Sequence, residues 1–244
     1  MHEASLHDQN CSITLTYSSE HVPYGGTLML SDFQRFMKRL RKRFGNGIRF
    51  YHCGEYGENF GRPHYHAILF NHDFPDKRPW RFSNNELLYR SQVLEELWPF
   101  GFSSIGSVTF ESAAYVARYI LKKINGELAD THYTRINPDT GEYCLVRPEY
   151  VTMSRRPGIA SGWFDKFSSD VYPSDEVIVR GHSCRPPRFY DNRYELLDPD
   201  QLALIKNARK KLAKNNACDN TPDRLCIKEE LQSLRLSKLI RPLA

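Results

Sequence analysis

The sequence has no apolar run approaching the ~18 residues that a membrane-spanning helix needs. Its opening stretch, with His2, Glu3, His7 and Asp8, has no apolar segment of the secretory type. Neither a membrane span nor a secretory leader is expected. The six cysteines (Cys11, Cys53, Cys144, Cys184, Cys218 and Cys226) never form Cys-x-x-Cys. This argues against a zinc ribbon, a thioredoxin motif and a compact disulfide framework, and points to reduced structural thiols. There is no G-x-x-x-x-G-K-S/T phosphate loop, so no nucleotide cofactor and no built-in helicase is expected. No internal repeat is visible. The excess of positive charge is mild, 34 Lys+Arg against 29 Asp+Glu for a formal +5, and by itself excludes little. Its placement says more. Arg35, Lys38, Arg39, Arg41, Lys42 and Arg43 crowd into one helix candidate, where they form either a solvated face or a phosphate-attracting one.

Aromatic residues are plentiful, with 14 Tyr, 14 Phe and 3 Trp in 244 residues, enough to build a core and unlike a disordered chain. Residues Cys11 to Tyr17 alternate Ile13, Leu15 and Tyr17 with Ser12, Thr14 and Thr16, the period of a half-buried strand. Ser31 is placed to cap a helix bearing Phe33, Phe36, Met37, Leu40 and Phe44, which Gly45 ends. Ile48 to Glu55 and Pro63 to Phe70 read as strands joined in a hairpin. A polar loop containing Pro75 and Pro79 leads to a helix from about Ser91 to Trp98, a strand from Phe102 to Val108 and a helix from Ser112 to Ile124. Further on, Glu142 to Tyr150 is a strand candidate, and two helices follow Asp198, the first rich in lysine (Lys206 to Lys214). The expectation is an α+β fold. Its central, mainly antiparallel sheet has the ferredoxin-like βαββαβ order, with helices packed on it and a helical C-terminal extension.

His64-Tyr65-His66 is the first pattern that carries chemistry. In a strand, residues i and i+2 share a face, so both imidazoles point one way and Tyr65 the other. Glu55 ends the preceding strand, and in the expected hairpin its carboxylate reaches the same face. Two nitrogens and an oxygen with open positions suit Mg²⁺ or Mn²⁺ acting on a phosphate. His-x-His alone is a weak signal, and a pair of surface histidines flanking an exposed tyrosine is its commoner meaning. The second pattern is Tyr115-Val-Ala-Arg-Tyr119, whose phenols at i and i+4 stand on one side of a helix with Lys122 and Lys123 a turn further on. Ammonium groups nearby favour the phenolate, which a tyrosine nucleophile needs because its unperturbed pKa is ~10. Tyrosines half buried against the sheet are the usual outcome of such spacing. The two pairs together tip the balance towards chemistry.

Taken in combination, these residues resemble the HUH endonuclease superfamily. More narrowly, Ile13-Thr-Leu-Thr-Tyr17, Cys53-Gly-Glu-Tyr-Gly57, Arg62-Pro-His-Tyr-His-Ala67 and Tyr115-Val-Ala-Arg-Tyr-Ile-Leu-Lys-Lys123 resemble the replication initiators of small single-stranded DNA phages, the gokushovirus-like Microviridae. Met153-Ser-Arg-Arg-Pro-Gly158 and Pro187-Arg-Phe-Tyr-Asp191 match the style of that family too. Its members usually carry more chain before the first strand, which bears on DNA recognition more than on the metal site. The resemblance implies an HUH-like endonuclease domain over residues 1–182, with an accessory region from about 126, and a basic helical extension over 183–244.

The function implied is metal-dependent nicking and rejoining of single-stranded viral origin DNA in the cytoplasm of a bacterial host. A 5′-phosphotyrosine forms and frees a 3′-hydroxyl. His64, His66 and Glu55 would hold Mg²⁺ or Mn²⁺, Tyr115 and Tyr119 would alternate as nucleophiles with Lys122 assisting, and Arg62, Lys122 and Lys123 would contact DNA. Host helicase and polymerase would be partners. The basic clusters at Arg35 to Arg43 and Lys206 to Lys214 are further DNA candidates. Two other readings compete: a non-catalytic module binding single strands through exposed aromatics on its sheet, and a metallohydrolase in which water attacks.

Overall fold

A computed structural model describes residues 1–57, 61–83, 86–118, 123–137 and 140–238. The chain divides into two compact units, Met1–Ile159 and Ala160–Ile240. The strands of the first are β1 (Asn10–Tyr17), β2 (Arg49–Tyr56), β3 (Pro63–Phe70), β4 (Arg78–Ser83), β5 (Glu86–Arg90), β6 (Gly101–Gly106), β7 (Thr134–Ile136), β8 (Tyr143–Leu145) and β9 (Tyr150–Met153). Its helices are α1 (Leu30–Phe44), α2 (Gln92–Leu97), α3 (Phe110–Arg118) and α4 (Leu128–Tyr133). The unit is built on a seven-stranded, wholly antiparallel sheet in the order β4-β5-β6-β1-β3-β2-β9. A separate hairpin pairs β7 with β8.

The fold is thus α+β, with a central antiparallel sheet and a helical C-terminal region. The order of elements along the chain differs from the six expected. The stretch read as a polar loop folds into the β4–β5 hairpin, between β3 and α2. Pro79 hid it, because proline donates no backbone hydrogen bond and is tolerated only at strand edges and bulges. β4 is an edge strand, and its register with β5 slips between Pro79 and Arg81. The strand read at 142–150 is two, β8 and β9, separated by a stretch containing Pro148.

One face of the sheet makes the main core. Ile13, Leu15, Tyr17, Tyr65, Ala67, Leu69 and Ile105 pack with Phe33, Phe36, Met37 and Leu40 of α1 and with Trp98. The first turn of α1 is anchored by phenols. Tyr17 Oη donates to Asp32 Oδ2 at 2.5 Å, Tyr65 Oη lies 2.9 Å from Tyr17 Oη, and Met29 N–H donates to Tyr65 Oη at 2.7 Å. This replaces the expected cap. Met29, not Ser31, occupies the capping position, and Ser31 lies inside the helix. Gly45, at φ 99°, ends α1 as expected. The basic cluster of α1 is largely spent on the protein itself. Arg35 pairs with Asp32, and Arg43 meets Glu96 at 2.8 Å. Arg39 and Arg41 donate to the carbonyls of Leu97 and Ile48. Arg49 of β2 donates to the carbonyls of Pro157 and Gly158, both at 2.9 Å, which gives the basic Pro-Gly turn a structural role.

The second unit holds β10 (Val177–Val179) and β11 (His182–Cys184), paired with each other, and α5 (Ser161–Val171), α6 (Arg188–Tyr194), α7 (Pro199–Asn215) and α8 (Pro222–Ser237). Phe164, Tyr190, Leu202 and Ile205 are buried there. Arg209 bridges Asp175 and Asp191, and Tyr172 Oη donates to Asp191 at 2.6 Å. These bonds to Arg209 and Tyr172 hold the Asp191 carboxyl below its ordinary range. Among the described residues no disulfide forms, and no helix is long and apolar enough to cross a membrane.

Candidate functional site

The opposite face of the sheet carries the polar half of β1. Because side chains alternate, Thr14 and Thr16 lie opposite His66 and His64 of β3, and Cys53 and Glu55 of β2 lie opposite the same two histidines. The expected hairpin register is therefore correct, and Glu55, His64 and His66 share a face, with Tyr65 turned into the core. All three are nearly enclosed, at 1%, 9% and 4% exposure. Thr16 Oγ1 lies 2.9 Å from His64 Nδ1, and Thr14 Oγ1 lies 3.0 Å from His66 Nδ1. These bonds fix both ring orientations and direct each Nε2 away from β1. His66 Nε2 meets Glu55 Oε1 at 2.8 Å. A Cβ added to Gly57 would lie 2.7 Å from His64 Nε2, so only glycine leaves that nitrogen room.

α3 covers part of this face. Thr109 and Ser112 cap it reciprocally, with Ser112 N–H to Thr109 Oγ1 at 3.1 Å and Thr109 N–H to Ser112 Oγ at 2.9 Å. The helix therefore begins at Phe110, earlier than the Ser112 expected. Val116 is buried with Cys53, Ile68 and Phe70, and Ala113 and Tyr115 pack against that cluster. Tyr115 consequently stands beside His66, ring centroids 5.5 Å apart and planes at 85°. The structure thus brings together Glu55, His64 and His66 on one sheet face and sets Tyr115 against it. Tyr119 and Lys122 lie outside the described residues. Lys123 is exposed and not helical, so the helix expected to reach Ile124 does not. The Ile124 N–H is instead satisfied by Tyr133 Oη at 3.0 Å. Arg62 donates to Tyr17 O at 3.0 Å and to Ser19 Oγ at 3.2 Å, which braces the end of β1.

Tyr17 and Tyr65, on the core face, are unsuited to nucleophilic work. Burial raises both pKa values, that of Tyr65 to about 12, and Tyr17 is raised further by Tyr65 and Asp32. Tyr115 is the phenol that faces the histidines. Sequence reasoning passed over Thr14, Thr16 and Gly57. The alternation of β1 already put both threonines on the polar face, but nothing in the sequence paired β1 with β3. Among the described residues, no group of three or more His, Cys, Asp or Glu is gathered as it stands around a metal position. The donors on this face able to hold a cation are the two Nε2 atoms and the Glu55 carboxylate.

The model of the replication-associated protein ORF2 family matches residues 10–124, the span that contains the whole of this constellation. The chain is 31% identical to the replication-associated protein VP4 of Bdellovibrio phage phiMH2K, over 87% of this chain and 67% of that protein. The chain belongs to the replication-associated protein family. A second family member, the replication-associated protein ORF2 of Spiroplasma virus 4, is 31% identical over 84% of this chain and 64% of its own length. The replication-associated protein ORF4 of Chlamydia phage 1 is 35% identical over 50% of this chain and 32% of its own. The chain thus spans about two thirds of the first two relatives and about a third of the other. No solved structure matches it.

Proposed function

We propose that this replication-associated protein nicks and rejoins single-stranded origin DNA through a covalent tyrosine–phosphate link, and so starts and ends rolling-circle replication. One observation carries the reading: Tyr115 stands edge-on to His66, 5.5 Å between centroids, on the face where His66 meets Glu55 at 2.8 Å. A nucleophile-bearing phenol, two oriented imidazoles and a carboxylate form the minimum set for phosphoryl transfer to tyrosine.

His64, His66 and Glu55 would hold Mg²⁺ or Mn²⁺, which when bound polarises a phosphoryl oxygen and offsets the charge developing there. The donor set supports this. Both Nδ1 atoms are engaged by threonine hydroxyls, the outer-shell arrangement that orients ligating imidazoles, and Gly57 leaves space at His64 Nε2.

The chain's own part is positioning and attack. The Tyr115 oxygen forms a bond to phosphorus while the bond to the 3′ oxygen breaks. The phenol gives up its proton and the departing 3′-hydroxyl gains one. One phosphodiester replaces another, so rejoining needs no nucleotide. Tyr119 would repeat the step on the regenerated origin, and the freed 3′-hydroxyl would then close the circle. Lys122 and Lys123 would favour the phenolate and, with Arg62, hold DNA phosphates. Host helicase and polymerase would supply unwinding and extension in the bacterial cytoplasm.

Incubation with origin-like single-stranded DNA and Mn²⁺, followed by denaturation in SDS, tests the reading. A protein–DNA adduct is expected, abolished by a chelator and by combined Tyr115→Phe and Tyr119→Phe. Cleavage without an adduct would make water the nucleophile. Binding without cleavage would make the chain a non-catalytic module. If either single tyrosine variant completes several rounds of cutting and circularisation, the alternation is wrong.

A further inference from the structure

The row that contains the histidines does not stop at them. Glu55, His64, Thr16 and Phe102 stand side by side across β2, β3, β1 and β6. Phe102 is 58% exposed and lies two strand spacings, about 10 Å, from His64. Beyond it the sheet continues into the β4–β5 hairpin. Tyr89 of β5 pairs with Ile105 and packs against the α1 core, so Leu88 and Arg90 point to the histidine face. Their strand partners Arg81 and Arg78 do the same. The slip between Pro79 and Arg81 inserts Trp80, whose ring is covered by the Arg81 guanidinium at 4.4 Å and approached by that of Arg90 at 5.4 Å, and which stays 46% exposed. Arg90 is ion-paired with Glu95, and Glu86 lies at the far end of the hairpin. Arg78 and Arg81, both exposed, keep the patch cationic.

We propose that Trp80 and Phe102, with Arg78 and Arg81, form a base-stacking platform for single-stranded DNA on the histidine face. The platform sets which nucleotide of the strand reaches Tyr115. This rests on the nicking function proposed above and adds to it the elements that grip the strand. Two exposed aromatic rings beside arginines, on one side of a sheet, match what unpaired bases and their phosphates require. An apolar protein partner would not account for the arginines, and duplex DNA keeps its base faces stacked away from Trp80 and Phe102.

The test is binding of fluorescein-labelled oligo-dT to the full chain, measured by polarisation without divalent metal. Trp80→Ala and Phe102→Ala are each expected to weaken binding about 5- to 150-fold, and Trp80→Phe to restore most of it. Arg81→Ala should reduce the slope of log affinity against log salt by about 0.7. Unchanged circular dichroism and melting temperature would show that the variants fold. Wild-type affinity in both alanine variants would overturn the platform, as would equal binding of a duplex competitor. The two proposals fail separately. If His66→Ala binds oligo-dT normally and Trp80→Ala does not, the platform holds even where no adduct ever forms. If an adduct forms and Trp80→Ala binds and cleaves as wild type at the same position, nicking holds and the platform falls.

Discussion

On the face of the sheet covered by α1, polar side chains serve the fold. Tyr17, Tyr65 and Asp32 satisfy one another and fix the start of a helix, and burial keeps both phenols protonated. On the face partly covered by α3, side chains from the same strands are aimed rather than consumed. Threonine hydroxyls hold one nitrogen of each imidazole and so orient the other. A single residue's step along β1 or β3 separates the two regimes. The difference teaches that burial alone does not mark a reactive group, since His52 on the core face is as buried as the pair on the other. What distinguishes the pair is convergence with a carboxylate and a phenol from two further elements.

Substitutions can break this contrast. The largest effect on stability is expected on the core face. Phe36→Ala should cost about 3–5 kcal/mol in urea unfolding while leaving the adduct yield per folded molecule near wild type. A proportional loss of both would show that the faces are not separable. On the histidine face, Glu55→Gln or His66→Ala should cut adduct formation by about 10³-fold, equivalent to about 4 kcal/mol of transition-state stabilisation. Single-turnover kinetics on labelled DNA would measure it, and near-normal rates would remove these residues from the chemistry.

Thr14→Val and Thr16→Val sharpen the comparison, because they alter only ring orientation. A loss of about 10- to 100-fold in rate or metal affinity is expected, with the wild-type oligo-dT affinity retained.

His52 gives a pH signature on the core face. It is fully buried, stacked on Phe33 with centroids 3.4 Å apart, with Nδ1 2.9 Å from Thr152 Oγ1. Burial, and then the nearby His66, depress its pKa well below 6.5. The unfolded chain therefore takes up this proton at higher pH than the folded one. The stability it confers is whole above pH 6.5 and is lost as pH falls below that value, by at most about 1.4 kcal/mol per pH unit. Urea midpoints against pH should show a shallower acid slope for His52→Phe than for wild type. The smallest effect is expected at the helix surface, where Arg43→Ala removes an exposed pair with Glu96 and should change stability by less than about 1 kcal/mol.

Much of the site was legible in the sequence. The i, i+2 spacing of His64 and His66 forces a shared face in any strand, and a short polar loop between two apolar runs makes a hairpin that brings Glu55 opposite His64. The i, i+4 tyrosines supplied one phenol whose place beside His66 is seen, while Tyr119 lies outside the described residues. The basic cluster of α1 was misleading, since a sequence shows charge and not the carbonyls and carboxylates that engage it. The β4–β5 hairpin escaped because proline and a bulge break the alternation by which a strand is recognised.

The sequence by itself determined the alternation of β1, β2 and β3, hence which side chains face which way, because a strand's two-residue period is local backbone geometry. Only the tertiary structure decided that Thr14 and Thr16 orient the histidines, that α3 lays Tyr115 against His66, and that Trp80 and Phe102 extend the same face. These depend on strand order and register between segments far apart in the chain, and no local pattern encodes them.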